Sequence, residues 1–232
     1  LGWIPTLEGR RDEGNLEWGG EMGVPREIVV QPDGSLGVKC AKEIINAFEK
    51  TVPEQRFPGG YQPGTGRWSV DDSTFVGEAE EEFGFVSFQQ IPDDYLLEAT
   101  VTVGPLAVSA GFLIRMSDDL DAGYAIVLEP FTHRVLFRPY YDYLRIYGPY
   151  VGTPLGIGEF RERMLHVERP IDIKPQSPVS CQILVQGSIM EAFFNNQVAM
   201  SARIYNHRRG RLCFFVQNGQ AKFERARLLT RE

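Results

Sequence analysis

The sequence lacks long apolar runs and is poor in cysteine. Although 43% of its 232 residues are hydrophobic, no uninterrupted apolar run approaches the roughly 20 residues that a membrane-spanning helix needs. The three cysteines are an odd number without Cys-x-x-Cys spacing, so they provide no ligand set for zinc. Each lies in an apolar, strand-like stretch that favours a buried, reduced thiol: Cys40, Cys181 and Cys213. We therefore expect no membrane partner, and a reducing compartment such as the cytoplasm is favoured without being fixed.

The motifs of common cofactor and nucleophile sites are also missing. There is no P-loop, dinucleotide fingerprint, HExxH or GxSxG pattern, and we expect no cofactor. His133, His166 and His207 lie far apart, without cysteine or carboxylate at ligand spacing, so we expect no metal site. The acidic stretch 118–121 does not have the glycine register of a calcium loop. It predicts a solvated turn that closes a hairpin over 109–129.

Basic residues are outnumbered, with 24 Lys and Arg against 31 Asp and Glu. The resulting net charge of −7 argues against a nucleic acid or an anionic membrane as partner. The basic run 207–211 has no interleaved aromatic residue, and an exposed hairpin tip explains it. The length suits one large domain, or one domain with an appendage.

The first regular structure that the sequence does contain is a hairpin followed by a helix. Residues 26–31 and 36–40 read as strands on either side of an Asp-Gly turn. Residues 41–50 carry apolar side chains at helical spacing and predict the one convincing helix of the chain. Residues 53–67 are rich in proline and glycine, which predicts a linker.

From residue 68 onward nearly every segment has strand character, with turn residues at close spacing. The sequence contains no internal repeat of the kind that a propeller or solenoid within the chain would show. The predicted fold class is all-β, a two-sheet antiparallel β-sandwich of the concanavalin-like jelly-roll type, with an N-terminal hairpin and one short linker helix. A long aromatic loop is predicted over 140–160. Strands are predicted at 68–77, 82–91, 95–103, 109–117, 124–129, 134–140, 161–168, 179–187, 189–194, 197–205, 210–217 and 220–229.

Stretches at both ends of the chain resemble one known family, glycoside hydrolase family 32, which contains invertases, levanases and inulinases. Residues 1–5, 18–28 and 33–38 combine a Gly-Trp, a Trp-Gly-Gly stretch, a Pro-Arg-Glu strand and a hairpin with Asp-Gly. They resemble the end of the family's catalytic domain. Residues 188–205 and 212–219 are similar to its C-terminal sandwich, in which a strand pair with a turn Asn precedes the last strands.

The resemblance implies a division of the chain. Family members join a five-bladed β-propeller, which holds the active site, to a β-sandwich through a short linker. Residues 1–52 would be the end of the propeller, the hairpin and the linker helix, and residues 53–232 the sandwich. Arg11-Asp12-Glu13 echoes one catalytic motif but lacks its proline. No catalytic residue is therefore assigned, and we expect the chain to be part of a longer protein and inactive alone.

Two functions follow from the resemblance. The first is support of the catalytic propeller in a β-fructofuranosidase-type hydrolase, which uses a retaining two-carboxylate mechanism. The propeller of the parent protein would then be the partner, and contact between subunits of a homo-oligomer is a further role. The second is a non-catalytic fructan-binding module, because modules that resemble this sandwich bind the terminal fructose of levan. Its partner would be a fructose-containing saccharide.

Sugar binding by the sandwich would need a polar cluster that hydrogen-bonds sugar hydroxyls, often beside an aromatic ring. Alternation places Phe112, Ile114 and Met116 on one strand face, so Arg115 projects to the other, and Glu129 projects likewise from the next strand. An Arg and a Glu on one face could bracket a sugar. The alternative is a cross-strand ion pair on a solvated sheet. The candidate carbohydrate-binding residues are Arg115, Tyr124, Glu129, Arg138, Tyr140 and Glu191.

Overall fold

The computed structural model describes residues 2–5, 20–49, 61–88, 91–141, 167–205 and 207–231. The predicted loop at 140–160 and most of the predicted strand at 161–168 lie outside these residues. In the part described, no helix is long and apolar enough to cross a membrane. The elements in chain order are β1 (Trp3–Pro5), β2 (Gly20–Met22), β3 (Arg26–Val30), β4 (Leu36–Cys40), α1 (Lys42–Glu49), β5 (Tyr61–Thr65), β6 (Arg67–Asp71), β7 (Thr74–Phe88), β8 (Tyr95–Val103), β9 (Ser109–Met116), β10 (Ala122–Glu129), β11 (Arg134–Tyr141), β12 (Val167–Pro170), β13 (Pro178–Gln186), β14 (Ile189–Phe194), β15 (Val198–Arg203) and β16 (Arg211–Leu229).

Strands β5 to β16 form one antiparallel sheet that folds over itself into two layers. The first layer, sheet A, has the order β12-β11-β10-β9-β16-β7-β5 and uses the N-terminal half of β16. The second layer, sheet B, has the order β6-β7-β16-β8-β13-β14-β15 and uses the C-terminal half of β16. The main apolar core lies between the layers. The predicted all-β jelly-roll sandwich is confirmed.

The long strands β7 and β16 belong to both sheets, and they bend at a β-bulge. Gln217 pairs with Phe83 and Gly219 with Ala79, so the register shifts at this point. Asn218 has φ +50° and Gly219 has φ +136°. The sequence predicts a turn between two strands here, and that prediction is wrong because β16 is one strand of 19 residues. A bulge and a tight turn both need left-handed backbone, so an Asn-Gly pair satisfies either.

Three other predicted boundaries are also wrong. The predicted break between the strands 68–77 and 82–91 is absent, since β7 is one strand over Thr74–Phe88. The predicted strand 68–77 is broken by a turn at Asp72, which has φ +50°, and β7 begins at Thr74. Part of the predicted linker forms β5, which among the described strands pairs only with β7. Pro63 is tolerated in β5 because an edge strand leaves one side of its backbone without a partner strand.

The centre of the core is a group of phenylalanines held mainly by β16. Phe214 stacks on Phe223 with ring centroids 4.7 Å apart. Phe214 also makes edge-on contacts with Phe75, Phe88 and Phe112 at centroid distances of 4.9 to 5.3 Å. Because β16 spans the bend, its two halves bring aromatic rings from both sheets into one cluster, and such pairs contribute beyond the area they bury.

The cysteines are buried and reduced, as the sequence predicts. Burial raises the pKa of the Cys40 and Cys213 thiols to about 12. Cys181 is 1% exposed, and burial raises its pKa as well. All three act as small apolar side chains.

The N-terminal segment, meaning residues 2–5 and 20–49, packs on the outer face of sheet B. The predicted hairpin and helix are both found there, as β3–β4 and α1. Phe48 of α1 is fully buried and lies in a cluster with Leu96, Leu184 and Leu229 of the sheet. Cys40 of β4 packs against Phe193 on the same outer face. The segment thus covers part of a sheet face that would otherwise expose apolar side chains.

The bend predicts a strong requirement for glycine at position 219. A Cβ atom there would lie 2.7 Å from the backbone nitrogen of Ala107, and the φ angle is unfavourable for other residues. We expect Gly219→Ala to lower the free energy of unfolding by about 2–3 kcal/mol. Gly187→Ala is the control, since Gly187 also has a positive φ but has open space around it, and it should cost about 1 kcal/mol. Urea denaturation measures both, and equal losses would contradict the role of the bend.

Candidate functional site

Three of the six candidate residues lie on the outer face of sheet A. Glu129, at the end of β10, accepts hydrogen bonds from Nε of Arg134 at 2.7 Å and from the hydroxyl of Thr132 at 2.8 Å. Arg138 is exposed on β11, and Tyr140, two residues further along, is almost buried. Glu129 therefore makes a cross-strand ion pair, but its partner is Arg134 and not Arg115.

Arg115 and Tyr124 lie at one end of the sandwich. Arg115 is 3% exposed, and its two terminal nitrogens donate to the backbone oxygens of His207 and Asp93 at 3.2 and 3.0 Å. Within the described residues, Nε of Arg115 and the hydroxyl of Tyr95 have no hydrogen-bond partner. Burial lowers the pKa of the Arg115 guanidinium. Tyr124 is 4% exposed, and its ring makes an edge contact with His207.

The alternation predicted around Arg115 does not hold. Ile114 faces the core between the sheets, whereas Met116 lies in a second cluster with Leu113 on the outer face of sheet A. Arg115 has φ +51°, and the pairing of β9 with β16 shifts register beside it. This irregularity moves the next residue to the opposite face. Arg115 and Glu129 consequently do not share a face.

The sixth candidate, Glu191, lies on the outer face of sheet B and is fully buried. Its Oε1 accepts from the backbone N–H of Val24 at 2.6 Å, and its Oε2 pairs with Arg26 at 2.8 Å. Arg26 also donates to the hydroxyl of Ser201 and lies over the ring of Phe193. Glu191 thus ties the N-terminal segment to the sandwich. The six candidates occupy three separate places.

A polar groove of about 400 Å³ opens elsewhere on the outer face of sheet B. On β8 it begins two residues beyond Leu96, which α1 helps to bury. The groove runs across β8, β13 and β16 towards the turn between β6 and β7. Its main polar side chains are Glu98, Thr100, Ser180, Gln182, Arg225 and Arg227.

Five of these side chains form two hydrogen-bonded groups, one centred on Glu98 and one that joins Arg225 to Thr100. Glu98 accepts from the side-chain amide of Gln182 at 2.7 Å and from Nε of Arg227 at 2.6 Å. Arg225 donates to the hydroxyl of Thr100 at 3.2 Å. Hydrogen bonds of this kind fix side-chain positions, because each ionised group has a partner in good geometry. The floor of the groove is therefore an ordered array of donors and acceptors.

A second β-bulge in β16 directs the arginines into this groove. Glu224 pairs with Thr100 and Arg227 with Glu98, so two residues of β16 oppose one residue of β8. Arg225 has φ +52°, and the N–H of Ala226 donates to the backbone oxygen of Ser73. With regular alternation, Arg227 would point into the core. The bulge instead places it outward.

The amino-acid sequence alone does not predict this groove. Its residues come from three strands that are far apart in the chain, and their pairing is set by tertiary structure. One available signal was the basic alternation Arg225, Arg227 beside an apolar core pattern, which fits no regular strand with one buried face. That conflict indicates a bulge.

The fold is similar to several solved structures. The carbohydrate-binding module CBM66 from Bacillus subtilis matches with a TM-score of 0.59 and 13% identity, over 74% of this chain and 96% of that chain. Exo-inulinase from Aspergillus awamori matches with a TM-score of 0.61 and 10% identity, over 99% of this chain and 39% of that one. β-Fructofuranosidase from Aspergillus kawachii matches with a TM-score of 0.51 and 13% identity, over 99% and 36%.

These likenesses confirm, at the level of fold, the resemblance to fructan- and sucrose-acting enzymes. This chain spans well under half the length of the two enzymes. It has the sandwich fold found in such glycoside hydrolases and in a carbohydrate-binding module. No protein-family model and no curated protein sequence matches the chain.

The contacts of Glu191 predict a large cost for removing its cationic partner. Arg26→Met would leave a fully buried carboxylate with the Val24 N–H as its remaining partner among the contacts described above. We expect a loss of roughly 2–3 kcal/mol in the free energy of unfolding, below the usual cost because Arg26 is partly exposed. The double variant Arg26→Met, Glu191→Met should be more stable than Arg26→Met alone, since it leaves no unpaired charge.

A matched control is available in the same hairpin. Lys39 pairs with Glu27 at 2.8 Å, and both side chains are more than one third exposed. Lys39→Met should cost less than about 0.5 kcal/mol in urea denaturation. If Arg26→Met were as mild as Lys39→Met, Glu191 would not hold the segment in place.

Proposed function

We propose that this chain is the β-sandwich region of a β-fructofuranosidase-type glycoside hydrolase and that it supports a catalytic β-propeller. The observation that carries the proposal is the distribution of exposed apolar side chains. Five of the eight large ones found in the described residues belong to the N-terminal segment, at 55% to 74% exposure. They are Trp3, Met22, Ile28, Val30 and Leu36. A concentration of this kind marks a surface that a partner covers.

The strand pairs of the N-terminal segment support the same proposal. Within the described ranges, β1 pairs with β2 and β3 pairs with β4, each as a two-stranded sheet. Two-stranded sheets are marginal alone, and a propeller blade normally has four strands. In the proposed parent protein these strand pairs lie at the junction with the propeller. Residues 1–52 form that junction, and residues 53–232 form the sandwich.

The exposed apolar residues of the hairpin share one face. Val30 pairs with Leu36, and Ile28 pairs with Val38, two residues further along each strand. Arg26 and Cys40, at the other end of this face, contact the sandwich. The turn end of the hairpin also contacts the sandwich, since Gln31 donates to the backbone oxygen of Asn196 at 2.8 Å. The hairpin is therefore held by the sandwich at both ends, and its exposed apolar side chains can contact the propeller. Burial of three such side chains supplies several kcal/mol to the contact.

The proposal predicts a complex between this chain and the catalytic propeller of its parent protein, produced separately. We expect a 1:1 complex in analytical ultracentrifugation, and at least tenfold weaker binding for the double variant Ile28→Ser, Leu36→Ser, because each loses most of its apolar burial. Leu106→Ser is the control, since Leu106 is 82% exposed but lies between β8 and β9. The proposal would be contradicted if no complex formed or if the control variant weakened binding equally. Self-association of this chain through the hairpin would also contradict it.

Binding of a fructan is a second candidate function. The polar groove of sheet B favours it, together with the likeness of fold to a module named as carbohydrate-binding. In calorimetric titration of the full chain, we expect heat with levan or inulin oligosaccharides and none with a glucose oligosaccharide of equal length. No heat from either fructan at millimolar concentration would remove this function and leave the support role intact.

A further inference from the structure

We infer that the groove on sheet B is the saccharide site of this chain and that it takes one or two residues of a neutral sugar chain. The inference rests on the second function proposed above and supplies its site. It does not involve the candidates predicted on sheet A, which lie on the other layer of the sandwich. The volume of about 400 Å³ is within the range of small-molecule sites.

The charges of the groove favour a neutral ligand. Asp72 and Glu98 balance Arg225 and Arg227 among the lining residues. The Arg227–Glu98 pair is closed at 2.6 Å, so neither charge needs a ligand of opposite sign. At Arg227 an anionic ligand would have to compete with Glu98, and at Glu98 a cationic ligand would have to compete with Arg227. A ligand rich in hydroxyl groups can instead donate and accept without disturbing the pair.

Unused hydrogen-bonding capacity remains in the groove. In the part of the structure described, the amide of Gln182 donates to Glu98, and no donor is found for its oxygen. Ser180 is exposed, and its hydrogen bonds to Asn195 run through its backbone groups. The hydroxyl of Thr100 accepts from Arg225 and retains its own hydrogen to donate. Sugar hydroxyls can use each of these groups.

The spacing of the groups suits a sugar ring. Thr100 and Ser180 are paired across β8 and β13, as are Glu98 and Gln182. Paired residues lie about 5 Å apart, and residues two apart along a strand about 7 Å. A ring placed over this grid reaches groups on both strands. Because the hydrogen bonds among these side chains fix them before binding, little order is lost when the ligand binds.

The groove also lies apart from the proposed propeller contact. The exposed apolar residues belong to β1–β4, whereas the groove is formed by β8, β13, β16 and the turn before β7. Between them lies α1 over Leu96, Leu184 and Leu229. Support of a propeller and binding of a saccharide are therefore compatible in one chain.

The test uses the full chain and an inulin-type tetrasaccharide, with binding followed by calorimetry and by amide chemical shifts. We expect a dissociation constant on the order of 1 mM, since the described lining contains no aromatic ring. Shift changes should concentrate on Thr100, Gln182 and Arg225. Thr100→Val and Gln182→Leu are close in shape to the native residues, and each should weaken binding about 3- to 10-fold. Gln186→Leu, on the same strand outside the groove, should leave binding unchanged.

The outcomes separate the site from the function. Binding that is weakened by the groove variants and not by Gln186→Leu supports the inference. If binding survives both groove variants but is lost in Glu129→Gln, the sugar binds on sheet A. The proposed site would then be wrong, although the fructan-binding function would remain. If the wild-type chain is folded and no amide chemical shift changes at 20 mM saccharide, both the proposed site and the fructan-binding function are wrong. Equal binding of fructose 6-phosphate and its displacement by inorganic phosphate would overturn the preference for a neutral ligand.

Discussion

The bends of β16 are the constraint on which the other features depend. This single strand pairs with β9 in sheet A and with β8 in sheet B, while β7 follows it around the first bend. It therefore holds the two layers together covalently and places Phe214 and Phe223 in the same aromatic cluster. Without left-handed backbone at Asn218 and Gly219, the strand would continue straight, and the layers would not face each other.

Irregularities in the pairing of β16 with its neighbours also decide where side chains point. The register shift near Arg211 lies beside Arg115, and it separates Met116 from the face that Ile114 occupies. The second bulge, at Arg225, brings two arginines to the outer face of sheet B. With regular alternation in β16, Arg225 and Arg227 would meet the core. The second bulge instead turns both arginines outward, where they line the polar groove.

This explains how far the sequence could predict the structure. The strand character of the chain from residue 68 onward, the β3–β4 hairpin, α1 and the buried cysteines follow from local pattern, and the described residues contain them. The bulges do not follow, because Asn-Gly serves a turn or a bulge equally, and only the partner strand decides. The groove could not be predicted either, since Glu98, Gln182 and Arg227 meet only through sheet pairing.

The outer face of sheet B shows how one surface is divided between structural and binding roles. Along β8, Leu96 is covered by α1, whereas Glu98 and Thr100 line the open groove. The side chains are apolar where the N-terminal segment covers them and polar where it ends. Glu191 follows a different rule, since it is charged yet fully covered, and its pairing with Arg26 makes the position of the hairpin specific. Apolar contacts alone would let the segment slide over the sheet, whereas a buried carboxylate accepts one register, in which Val24 and Arg26 both reach it.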